Sequence, residues 1–150
     1  MLKQARRTKR AFAPGTFHRR GGAVLETCLL MPILIMLGFG IVDYGYCIYL
    51  ANVFQGAAQA GARAAIPNSG VNSSVTAAVS AMLSPSGISS SKYTVTTSPS
   101  SISGSAAGTS ITVTVSTTWG TAGTNILSTT FGGISSGKQI QGVATMQREQ

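Results

Sequence analysis

The chain has 150 residues, room for one domain with a modest core, and carries 11 Lys+Arg against 3 Asp+Glu with a single His, a formal net charge of +8. From Pro67 to Gly137 there is no Asp, Glu, His or Cys, and Lys92 is the only charged residue. General acid–base catalysis, metal ligation and thiol chemistry all need side chains that this half lacks, so neither an enzyme nor a bound cofactor or metal is expected.

The basicity is local. Seven of the eleven basic residues (Lys3, Arg6, Arg7, Lys9, Arg10, Arg19 and Arg20) fall in the first twenty positions, with no acid among them. From Gly21 onward four basic residues face three acids, Glu26, Asp43 and Glu149. A nucleic-acid surface would place its cations on the folded body, interleaved with aromatics or along a recognition helix. Here they stop where an apolar run begins, and nucleic acid is not expected as a partner.

Ala23 to Leu50 reads AVLETCLLMPILIMLGFGIVDYGYCIYL, with no charge between Thr27 and Val42. As a helix these 28 residues reach about 42 Å, more than the ~30 Å hydrocarbon core of a bilayer. Glu26 would sit near one interface and Asp43 towards the other, with Tyr44, Tyr46 and Tyr49 where an aromatic belt lies. Basic residues flank only the N-terminal side, which places the tail in the cytoplasm and the remaining hundred or so residues outside. A secretory signal has an apolar core of about 7–15 residues before its cleavage site, and this run is too long for one. Cys28 and Cys47 are about 28 Å apart along such a helix and cannot bridge within one chain. Both read as small apolar membrane residues, an intermolecular disulfide through Cys47 being the alternative.

Gly21-Gly22-Ala23-Val24-Leu25-Glu26 holds more than an anchor needs. A carboxylate one turn inside a membrane helix costs a few kcal/mol and normally has a partner. A cut after Gly21 would free an ammonium at Gly22, about 6 Å from Glu26 along the helix. Glu26 could also meet the amine of a staggered neighbouring subunit and so fix the register between the two. The other reading has Glu26 snorkelling to headgroups.

Pro32 removes a helical hydrogen bond and predicts a bend, and Gly38, Gly40 and Gly45 loosen the helix or allow close approach of another. Ala51 to Ala65 stays in helical register and is rich in small residues, with Gly56/Ala60, Ala57/Gly61, Ala60/Ala64 and Gly61/Ala65 each four apart, forming flat faces for a second backbone. Asp43 reads as interfacial, or else as an intersubunit contact, and Arg63 as a solvated or carbonyl-binding residue at the helix end. Pro67-Asn68-Ser69-Gly70 ends the helix.

Residues 67–137 contain 32 Ser+Thr out of 71, so folding here depends on pattern. Val71 to Leu83 has helical apolar spacing and stops at Ser84-Pro85-Ser86-Gly87. Tyr93 and Val95 alternate with Thr, and Ile111, Val113 and Val115 alternate with Thr112, Thr114 and Ser116 before Trp119, as in half-buried strands. A third strand is expected over Gln139–Gln147. Ser98–Ser110 reads as a loop, and Gly120–Gly137 as a loose connection anchored by Ile126, Leu127 and Phe131. The expected fold class is α+β: a long N-terminal transmembrane helix continuing into a small antiparallel-sheet extracytoplasmic domain.

Arg19-Arg20-Gly21-Gly22-Ala23-Val24-Leu25-Glu26, then Met31-Pro32 through Gly45 and the Ala-rich stretch to Ala65, resemble the TadE-like family of Tad (Flp) pilus assembly proteins. The ending Ala144-Thr145-Met146-Gln147-Arg148-Glu149 looks like that family's close. The resemblance implies a pilin-like fold and a minor pilin or pseudopilin, its leader removed at the cytoplasmic face by a prepilin peptidase. Carried over by position, Gly21 precedes the cut and Glu26 is the fifth residue of the mature chain. Two departures stand out: Thr27 occupies the place of the usual Phe or Tyr, and with a second glycine, Gly22, cleavage one residue later would make Glu26 the fourth. The implied division is a leader over 1–21, a transmembrane and stalk helix over 22–66, and an extracytoplasmic domain over 67–150. The implied setting is the inner membrane, single-pass with the N-terminus inside, among other pilins, pseudopilins and the Tad secretion machinery. An uncleaved, signal-anchored extracytoplasmic binding domain is the alternative.

Overall fold

A computed structural model describes residues 20–67, 69–127 and 131–149. Residues 1–19, most of the basic leader expected over 1–21, lie outside the described residues. The first element, α1, is Arg20–Ala65, and compact units divide inside it, at Ile33 and Leu34.

In the first unit the described part is the opening of α1. Its residues from Gly22 to Ile33 are all exposed. Thr27 donates its hydroxyl to the Ala23 carbonyl at 2.8 Å, so this polar side chain is satisfied by its own helix.

The second unit contains the rest of α1 and everything after it. Leu50, Phe54, Ala57, Ala58, Ala62 and Ala65 are fully buried, a stripe of helical period that faces the core. Helix α2, Asn72–Leu83, follows Val71 in extended conformation and buries Val75, Val79 and Leu83, one face at four-residue spacing. A 3-10 turn over Ser84–Ser86 closes on Gly87, whose φ of +72° is a left-handed value natural to glycine.

Three strands form an antiparallel sheet in the order β1 (Thr94–Ser98), β2 (Ser110–Thr118), β3 (Gln139–Gln147). The β2–β3 register puts Val113 opposite Ala144 and Thr112 opposite Thr145, whose hydroxyls bond at 2.9 Å on the outer face. Ile111, Val113 and Val115 point inward from the central strand, with Ile140 and Ala144 beside them. The α+β arrangement read from the sequence is the one observed, a long apolar helix followed by a small three-stranded sheet.

The connection before β3 departs from expectation. It opens with a short helix α3, Trp119–Ala122, and Trp119 is a fully buried core residue lying edge-on to Tyr46 of α1 at 6.2 Å. Of the three anchors expected there, only Leu127 is buried. Ile126 is 47% exposed and Phe131 61% exposed. The backbone around Ile126 is held by polar contacts instead, which leaves its side chain free of the core. At the C-terminus, the Arg148 backbone exchanges hydrogen bonds with Thr109 and Gly108, its guanidinium donates to the Ile102 carbonyl, and Glu149 N–H bonds Ile66 at 3.0 Å. The last residues thus tie the end of α1 to the loop between β1 and β2.

Candidate membrane and assembly surface

Helix α1 changes character at one residue. From Gly22 to Val42 almost every position is exposed and most are large and apolar; from Asp43 on, one face is covered by the second unit's own residues. The exposed stretch of 21 residues is about 32 Å of helix, the thickness of a hydrocarbon core. The helix over Gly22–Ala65 is long and apolar enough to cross a membrane.

Gly21 and Gly22 lie in the first turn of α1, which begins at Arg20 and runs through both. Glu26 is exposed one turn later and makes no ion pair among the described residues. Pro32 sits inside the helix, which continues on both sides of it. Open space surrounds Gly38, Gly40 and Gly45, where an added Cβ would meet nothing within 4 Å. The later small residues are in a different situation. A Cβ on Gly61 would come within 2.9 Å of Val79 and 3.2 Å of Val75 and Val113, one on Gly56 within 3.6 Å of Met82, and Ala60 is half-buried. The flat face at Gly61 therefore receives α2 and β2 of the same chain, and Ala57, Ala62 and Ala65 are fully buried in the core. Cys28 is an exposed free thiol and Cys47 a half-buried one.

Asp43 gains partners that the sequence did not show. Read from the sequence as interfacial, or else as an intersubunit contact, it is fully buried within its own chain in the structure. Its Oδ1 accepts from the Thr124 hydroxyl and from Ile126 N–H at 3.4 Å, and its Oδ2 from Leu127 N–H at 2.8 Å. Asn125 between them adopts φ +49°, a left-handed value that asparagine tolerates. That conformation turns successive N–H groups toward one anion, as in a backbone nest. No signal in the chain pairs residue 43 with residues more than eighty positions away, and apolar periodicity cannot supply one.

Two further residues bind α1 to the sheet. The Gln55 amide donates to the Val143 carbonyl at 2.8 Å and accepts from Val143 N–H at 3.1 Å, imitating a neighbouring strand at the edge of β3. Beside it, β3 passes so near the helix that a Cβ on Gly142 would run into the Phe54 carbonyl group. A glycine inside an otherwise alternating strand is the sequence sign of such a close approach.

The family model described as TadE-like protein matches residues 21–63. This segment is TadE-like. No match to the chain is found among curated proteins or among solved structures. The TadE-like segment holds Glu26, Asp43, Gln55 and Gly61, whereas the sheet lies beyond it. The match covers less than a third of the chain and coincides with its apolar N-terminal helix, which fits a membrane-anchored chain.

Proposed function

We propose that this chain is a minor pilin or pseudopilin of a Tad (type IVb) pilus. It inserts through α1 at the inner membrane, with the basic tail in the cytoplasm and the domain that follows α1 outside. A prepilin peptidase cuts after Gly21, and Glu26 then meets the new amino group of Gly22 or that of a staggered neighbour. The observation that carries this reading is Glu26, an exposed carboxylate with no ion pair among the described residues, one turn into an apolar TadE-like helix. In a low-dielectric bundle such a charge needs a counter-charge, and proteolysis would create one at the right distance. Gly38, Gly40 and Gly45, bare in the single chain, are the positions where helices of other pilins or pseudopilins approach, and Pro32 lets the helix adjust as they do.

The test is the mature N-terminus, measured by mass spectrometry in cells with and without the prepilin peptidase. Gly22 as the first residue only when the peptidase is present is the expected result. Met1 retained in both strains refutes it and favours a permanently anchored extracytoplasmic binding domain. Glu26→Ala is expected to insert normally and to reduce piliation, so undiminished piliation would remove the pairing role.

A further inference from the structure

The Asp43 contacts fix a loop at one height on α1, and that height is where the bare helix begins. Phe39 and Met36 stand one and two turns before Asp43 on the same helix face, and both are exposed. After Asp43 that face is covered, Leu50 and Phe54 being fully buried. Ile126 belongs to the loop that closes on Asp43, yet its side chain is turned out of the core. Whatever covers Phe39 is therefore positioned to cover Ile126 also.

We propose that Thr124–Leu127 is an interfacial foot: Asp43 holds the loop at the bilayer surface, and Ile126 enters the boundary between headgroups and acyl chains. This rests on the reading of α1 as membrane-spanning. Four observations favour lipid as the occupant. The 21 residues from Gly22 to Val42 span about one hydrocarbon thickness, so Asp43 falls at the boundary itself. The segment from Thr118 to Gly137 contains no charged residue, so bringing it to the acyl boundary desolvates no charge beyond Asp43, which the fold has already buried. Its backbone N–H groups at 126 and 127 are already satisfied by Asp43, which lowers the penalty for taking the loop toward an apolar medium. Tyr44 and Tyr49, both exposed on α1 just past the bare stretch, are the side-chain types found at that depth. With no cations in the foot, the contact is apolar and indifferent to lipid charge and salt.

The experiment uses the full chain, with Cys28 and Cys47 replaced by Ala, reconstituted at low protein density in phosphatidylcholine vesicles. An environment-sensitive fluorophore is attached at Ile126→Cys, and in parallel at Leu34→Cys as the helix reference and Ser103→Cys as the aqueous one. Lipids brominated high on the acyl chain are expected to quench the probe at 126 roughly threefold more than the probe at 103, with iodide showing the opposite order. Adding anionic lipid or salt leaves the ratio unchanged. A probe at 126 as open to iodide as the one at 103, while the probe at 34 stays lipid-quenched, overturns the foot and leaves the membrane helix standing. If the probe at 34 is aqueous as well, the membrane reading falls and takes the foot with it. Shielding at 126 that appears only as protein density rises assigns the covering surface to a second subunit and also refutes the proposal.

Discussion

Replacing Asp43 by Asn keeps size and shape while removing the charge, and the structure sets the size of the effect. Oδ1 has two donors and Oδ2 has one, so the better amide orientation keeps its oxygen toward Thr124 and Ile126 and turns NH2 toward Leu127 N–H. That bond is lost and two donors face each other at 2.8 Å. A hydrogen bond to a charged group contributes about 1.5–3 kcal/mol, and the two retained bonds weaken as the acceptor becomes neutral. Relief from burying a carboxylate without a counter-cation offsets part of this. The expected net loss is about 2 kcal/mol, or about 8 °C in Tm for a unit the size of Leu34–Gln150. Trp119 is the chain's single tryptophan and is fully buried beside Tyr46, so its fluorescence reports unfolding of the full chain in detergent micelles. Amide exchange at Leu127 should rise in the same variant. An Asn variant melting within about 1 °C of the parent, with the Leu127 amide still protected, would show that the carboxylate does not hold this loop.

Gly142→Ala forces a methyl against the helix backbone at Phe54, which unlike a side-chain tip cannot swing aside; a loss of about 3 kcal/mol is expected in denaturant unfolding. Gln55→Ala removes two hydrogen bonds from an exposed strand edge, so it should cost only about 1 kcal/mol while markedly speeding exchange of the Val143 amide. Asn125→Val puts a β-branched residue at a positive φ and should lower stability by about 1–2 kcal/mol, whereas Asn125→Gly should leave the melting temperature near that of the parent.

Much of the architecture was legible because its signals are local. Strict alternation through Ile111, Val113 and Val115 announced β2, the Gln139–Gln147 strand matches its expected limits, and the apolar spacing of Val71–Leu83 announced α2. Apolar composition misleads in the long connection before β3. Ile126 and Phe131 looked like core residues of a long connection, but that connection is fastened through its backbone to a carboxylate, and both side chains are exposed.

The sequence alone determined the long helix, α2 and the three strands, which face of each is apolar, and that one uncharged run is long enough to cross a bilayer. These depend on neighbours within a few residues, whose spacing sets the periodicity. Only the tertiary structure decided which small residues of α1 are spent on the chain's own sheet and which stay bare, and that Asp43 receives a loop from the far end of the domain. Those outcomes depend on where two distant segments cross, and no local pattern encodes a crossing point.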